Sequence, residues 1–195
     1  TGLNESVAFR QDTRTNLITY SEDFSDASWN ASSDVIIDKG YLAPDGTNNA
    51  TKITVNGANP KAALLITAST IVTKSIYART VSGTGTVYLG EGNINGVLSN
   101  VTEQWQRFEV TNNKTAFYAA DFRGASTLTE VIVWGAQFEE LSHATSYIPT
   151  NGAAVTVDSN STSVVNNTGI VERPITGVNT SDALFPDNTE STVVN

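Results

Sequence analysis

Cysteine and methionine are both absent from the 195 residues, and histidine occurs once. Without cysteine there are no disulfides, no thiolate metal sites and no cysteine nucleophile. Methionine is missing even at position 1, so the chain is expected to be a processed product or a portion of something longer. Charge is scarce at 16%, and basic residues are outnumbered 11 to 20, for a net charge of −9. No Lys/Arg run supplies the basic face of a nucleic-acid binder. An acidic surface also disfavours anionic lipid, and the simplest use of that charge is solubility. No signal-peptide pattern and no apolar run of membrane-spanning length is present. No nucleic-acid partner and no membrane insertion are therefore expected.

Long helical periodicity is missing as well. What remains is rich in Thr, Ser, Asn and Gly, with 39% hydrophobic residues. Strand patterns recur at short spacing: 16–20, 34–38, 50–55, 63–67, 74–80, 86–89, 105–110, 116–122 and 130–134. Turn residues separate them. Ala43-Pro44-Asp45-Gly46 is a turn with a mechanism, since proline presets φ and glycine accepts a positive one. In 74–80, Ile76 and Ala78 share one face, Tyr77 and Arg79 the other. In 105–110, Trp105, Arg107 and Glu109 oppose Gln106, Phe108 and Val110. Phe24 and Trp29, in the loop after the first strand, are placed to cover one end of the core. Such a series predicts an all-β fold, an antiparallel jelly-roll β-sandwich.

Residues 131–140 read as a buried strand, a glycine break at Gly135 and a second short strand, followed by a tethering loop to Thr150. Outside this domain the pattern fades. Residues 1–15 are polar and read as an N-terminal arm, 16–149 as the jelly roll, and 150–195 as an extended C-terminal segment. In that segment 153–157 suits one strand, while Ile170-Val171 and Val193-Val194 stand too isolated to build a core. Such segments order by laying strands along a neighbour.

The chemistry argues against an enzyme. His143 is the sole histidine and sits in a polar loop, with no nucleophile-elbow motif in the chain. The acidic pairs Glu22-Asp23 and Glu139-Glu140 are each adjacent in sequence, so their members point apart on a strand. Sugar binding needs aromatic surface and polar groups that fix hydroxyls. Tyr77, Tyr88, Trp105 and Tyr118 lie on strands and are candidates for a concave sheet face. Arg79, Gln104, Arg107 and Asp121 are the polar candidates. Against this, Trp29, Trp105 and Trp134 read equally as core, the usual fate of tryptophan in a small sandwich. Trp134, beside Ile132 and Val133, reads as core, and Trp105 is open. The Asn-x-Ser/Thr triplets at Asn30, Asn49, Asn100 and Asn113 arise by chance in so Asn/Thr-rich a chain.

Several blocks carry a resemblance. Asn16-Leu17-Ile18-Thr19-Tyr20-Ser21-Glu22-Asp23-Phe24 with Trp29 resembles the opening of jelly-roll carbohydrate-binding modules. Ala43-Pro44-Asp45-Gly46 with Ala50-Thr51-Lys52-Ile53, then Ser75-Ile76-Tyr77-Ala78-Arg79 and Trp105-Gln106-Arg107-Phe108, resemble later blocks, and 131–140 their closing strand. The ending Ala144-Thr145-Ser146-Tyr147-Ile148-Pro149-Thr150, then Gly152-Ala153-Ala154-Val155-Thr156, is similar to domains in bacteriophage tail, fibre and spike proteins. The likeness covers about two-thirds of the chain. It departs after Val155, where the usual basic-acidic ending is replaced by an Asn/Thr-rich segment.

The resemblance implies a non-enzymatic virion structural protein (a spike, fibre or decoration) that displays a jelly roll at the particle surface. Its partners would be other virion proteins or copies of itself, with a trimer fitting a spike or fibre, and host-surface carbohydrate as the attachment target. The alternative is a carbohydrate-binding module of a secreted bacterial glycan-active protein. No cofactor is required. A structural calcium is the one metal the family implies, drawing on Glu22 or Asp23 and Gln137 or Glu139.

Overall fold

The computed structural model describes residues 6–66, 70–166 and 169–174, with side chains over 13–66 and 70–158. The described residues fall into two compact units, one within 14–157 and one made of the described residues before 14 and after 157.

The first unit is all β. One five-stranded sheet runs β2 (Asn30–Ala31), β5 (Lys61–Leu65), β10 (Ala116–Asp121), β7 (Gly85–Tyr88), β8 (Leu98–Val101). The other runs β3 (Val35–Tyr41), β4 (Ala50–Val55), β11 (Glu130–Glu139), β6 (Val72–Arg79), β9 (Gln106–Asn112). The described strand pairings within both sheets are antiparallel. The chain passes from one sheet to the other after β2, β4, β5, β6, β8, β9 and β10, which makes the fold a jelly-roll β-sandwich.

The core follows the alternation in the sequence. Ile76, Ala78, Val131 and Val133 from one sheet meet Ala62, Val87, Phe117 and Ala119 from the other. Phe24 and Trp29 close one end, with ring centroids 4.8 Å apart, and Trp29 reaches Phe117 at 5.7 Å. The predicted turn forms, with Gly46 N–H donating to the Ala43 carbonyl at 3.1 Å and Gly46 at φ +88°.

Three local outcomes differ from expectation. Gly135 does not break β11, which runs unbroken from Glu130 to Glu139. Gly135 instead opens a β-bulge at φ +63°, where Gly135 and Ala136 together oppose Ile76 between the Trp134–Tyr77 and Gln137–Ser75 pairs. The expected strand at 16–20 is not one. Leu17–Tyr20 is irregular, tied by the Leu17 N–H to the Phe138 carbonyl and by an isolated bridge between Tyr20 and Asn151. The short strands β2 and β8 were not legible, because neither Asn30–Ala31 nor Leu98–Val101 shows a usable alternation.

Beyond the jelly roll, β1 (Ser6–Asn16), β12 (Val155–Asn166) and β13 (Gly169–Pro174) form a three-stranded sheet. β12 and β13 pair antiparallel from Ser161–Pro174 to Asn166–Gly169. The segment read as a polar arm thus carries a strand, and Ile170-Val171 belongs to a hairpin. Val193-Val194 lies outside the described residues.

Candidate functional site

The bulge at Gly135 decides what faces the outer side of the second sheet. Before it Ile132 and Trp134 point outward; after it Gln137 and Glu139 do, while Ala136 and Phe138 turn inward to the core. On that outer face Ile132 and Trp134 join Tyr77, Trp105 and Tyr147 in a second apolar cluster. Trp134 and Tyr147 are 4.6 Å apart between centroids, and Tyr77 lies 5.4 Å from Trp134 and 6.4 Å from Tyr147. Trp134 is buried, as its neighbours suggest, but beneath a strap over the sheet rather than between the sheets.

The strap is the segment 141–150. Arg107 donates from one Nη to the Thr145 carbonyl at 2.7 Å and from the other to Ser75 Oγ at 2.8 Å, and its guanidinium lies 5.6 Å from the Tyr77 ring centre. Thr73 Oγ1 donates to the Leu141 carbonyl. Burial first, then the nearby Glu22 charge, pushes the Tyr147 phenol above its ordinary range. It therefore stays protonated and donates to Glu22 Oε1 at 2.9 Å.

Among the sequence candidates for a sugar face, Tyr77, Arg79, Trp105 and Arg107 therefore come together on this sheet. Tyr77 and Arg107 are committed to the strap. Arg79 stacks over Trp105 at 5.4 Å, and both remain partly exposed at the margin. Tyr88 and Tyr118 belong to the other sheet. Gln104 is exposed, and Asp121 is buried and paired with Arg123 at 2.7 Å. The six aromatic and basic residues do not form one surface.

The four calcium candidates do not share an oxygen cage. Glu22 accepts from Tyr147 and from Asn49 Nδ2 at 2.6 Å. Asp23 accepts from Ser25 and Lys39. Gln137 Oε1 accepts the Ile148 N–H, and its amide donates toward Thr145 and Ser146. Glu139 accepts both the N–H and the hydroxyl of Thr145. Gln137 and Glu139 use their polar atoms on the strap, so these residues as arranged do not fit a calcium ion. Among the described residues, no group of three or more His, Cys, Asp or Glu is placed to hold a metal.

Beside the strap lies an open cleft of about 540 Å³, lined by Tyr20, Glu22, Asp23, Lys39, Asn48 and Asn151 among others. Its size falls in the range of small-molecule sites, roughly 300–1,000 Å³. One wall is rigid: Trp134 Nε1 donates to Asn49 Oδ1 at 2.9 Å, and Asn49 donates on to Glu22. The Lys39–Asp23 pair, 3.0 Å apart, edges the cleft with both side chains about half exposed. Burial alone would raise the Asp23 carboxyl, but hydrogen bonds from Ser25 and Lys39 outweigh it and hold it below the usual range. Among the described residues, the Tyr20 hydroxyl and the side-chain amides of Asn48 and Asn151 have no hydrogen-bond partner.

No protein-family model matches the chain, and no curated protein sequence does. Solved structures similar to it include the CBM22-1 xylan-binding domain from Paenibacillus barcinonensis, at 14% identity and TM-score 0.42, covering 70% of this chain and 99% of that one. The CBM22-1 and GH10 modules of a Clostridium thermocellum endo-1,4-beta-D-xylanase, complexed with xylohexaose, match at 10% identity and TM-score 0.44, over 70% of this chain and 30% of that one. The enzymatically active domain of bacteriophage CBA120 tailspike protein 4 matches at 8% identity and TM-score 0.34, over 69% of this chain and 19% of that one.

Sequence reasoning missed the cleft residues Tyr20, Lys39, Asn48 and Asn151. Tyr20, Asn48 and Asn151 lie in or beside turns, where no alternation marks a face, and Lys39 lies on β3 next to the irregularity at Gly40. The nearest signal was the polar pair Asn48-Asn49 ahead of the strand at 50–55.

Proposed function

We propose that this chain is a non-enzymatic, glycan-binding jelly roll displayed on a bacteriophage virion as a spike, fibre or decoration. The carrying observation is the 540 Å³ cleft with its unpartnered Tyr20 hydroxyl and Asn48 and Asn151 amides. A neutral sugar offers hydroxyls that both donate and accept, and an asparagine amide does the same. The Tyr20 ring supplies an apolar platform with a polar tip. Lys39 and Asp23 give a charged edge that orients a hydroxyl without leaving an unpaired charge. The cleft's two carboxylates are already held by protein donors, and His143 does not line it, so the reading is binding rather than hydrolysis.

The virion setting rests on the likeness of 131–150 and 152–156 to phage structural proteins. There the chain would associate with copies of itself, as a trimer in a spike, or with other virion proteins. A module of a secreted bacterial glycan-active protein would use the same cleft as a monomer, and light scattering on the purified chain separates the two settings.

The test of binding is a glycan array followed by titration calorimetry with the best hit. Tyr20→Ala and Asn151→Ala should each weaken binding about tenfold, a loss of ~1.4 kcal/mol, with tryptophan fluorescence unchanged. Absence of any array hit, or a hit indifferent to both substitutions, would overturn the assignment.

A further inference from the structure

A second cavity stands apart from the cleft and shares no lining residue with it. It holds about 160 Å³ and is lined by Glu91, Asn93, Ile94, Asn95, Lys114 and Tyr118 among others. Glu91, only 4% exposed, follows β7 and reaches inward. Its Oε2 accepts from Lys74 Nζ at 3.1 Å and from Asn112 Nδ2 at 2.6 Å. Lys74 is fully buried on β6, on the inward side with Val72 and Ile76. Burying two such ions costs several kcal/mol each, and an apolar pair would hold the sheets as well.

The expenditure has a visible use. The second oxygen of Glu91 has no hydrogen-bond partner among the described residues, and it belongs to a carboxylate that lines the cavity. Asn93 also lines the cavity, but its Oδ1 is closed off from it. The Asn93 N–H donates to Asp121 Oδ2 at 2.9 Å, and the Asn95 and Gly96 N–H groups both close on the Gly92 carbonyl, so the loop is fixed. A Cβ at residue 92 would lie 2.7 Å from Tyr118 Cζ and push the ring aside. The Tyr118 ring therefore packs directly on the loop and walls the cavity.

The free group specifies the ligand. The unpartnered Glu91 oxygen calls for a donor. A cation is disfavoured, because Lys74 already neutralises Glu91 and Lys114 adds positive charge. An anion brings no proton to donate. The volume corresponds to about five waters at liquid density, which suits one ring and not a chain. We infer that this cavity is a second carbohydrate subsite, taking a single neutral sugar ring through a hydroxyl donated to Glu91 Oε1 against the Tyr118 wall.

The test is an amide-resolved NMR titration of the full chain with methyl α-D-glucopyranoside, methyl α-D-mannopyranoside and methyl β-D-galactopyranoside. At least one should give saturable shifts at Asn93, Asn95, Lys114 and Thr115 in the millimolar range. Those shifts should persist in Tyr20→Ala, which removes the cleft's platform, and weaken at least tenfold in Tyr118→Ala with the remaining spectrum preserved. If Tyr118→Ala disturbs the whole spectrum, Asn95→Ala and competition between the glycosides at the same amides carry the test. No saturable shift at these amides with any of the three, or shifts lost in Tyr20→Ala, overturns the subsite. Failure of the first cleft alone would leave these shifts in place.

Discussion

Asn16 has four backbone partners for one buried side chain. Its amide donates to the carbonyls of Ala136 and Ile148 at 3.1 and 2.8 Å, and its Oδ1 accepts from the Ile18 and Phe138 N–H groups at 3.2 and 3.1 Å. These groups belong to the bulged region of β11, the irregular stretch after β1 and the strap, all outside regular strand pairing on that side. A buried donor or acceptor stripped of its partner costs about 1–3 kcal/mol. Asn16→Ala should therefore lower the unfolding free energy by roughly 3 kcal/mol or more in urea denaturation. A loss within experimental scatter would mean that water replaces the side chain. The sequence marked Asn16 as half of an Asn-Leu pair. It did not reveal the role, since three of the four partners lie more than a hundred residues away in sequence.

At the level of elements, β11 is the hinge between what was legible and what was not. The run Val131, Ile132, Val133 and Trp134 was read as a buried strand, and all four are buried, although Ile132 and Trp134 face the strap and not the other sheet. Beyond Gly135 alternation alone places Gln137 and Glu139 beside the core, whereas they face the strap. A glycine in a strand pattern can mean a break or a bulge, and pairing with β6 is what selects the bulge. Its φ of +63° is costly for any other residue, and an added Cβ would meet the Tyr77 and Tyr147 rings at 3.3 Å. Gly135→Ala should cost roughly 1–3 kcal/mol and loosen the strap. Thermal unfolding gives the first figure. Faster amide exchange at Thr145 and Ile148 reports the second, and unchanged exchange there would separate the bulge from the strap. The strands 50–55 and 116–122 were read almost to the residue, the first because it alternates and ends at Asn56-Gly57. β1 and β13 were not, because their apolar residues are too few to mark a face.

Across the whole molecule, acid should be the weak side. Burial alone would raise the Asp121 carboxyl, but the Arg123 guanidinium at 2.7–2.8 Å and the N–H groups of Asn93 and Arg123 outweigh it and hold it below the usual range. A carboxylate depressed in the folded state adds stability above its unfolded value of 3.8 and loses it as pH falls through the folded value. The unfolding midpoint should thus drop below about pH 4. Asp121→Asn should be less stable at neutral pH yet flatter over that acid window, as read by chemical denaturation at several pH values. An equally steep acid dependence in the variant would assign it to other groups.

The jelly roll opens at Arg14 and closes at Val157, and near those points the hydroxyls of Thr15 and Thr156 are 2.8 Å apart. The two ends of this unit therefore lie side by side. A polypeptide could carry it as an insert in a surface loop, lose it or exchange it for another, while the two cut ends stayed within reach of each other.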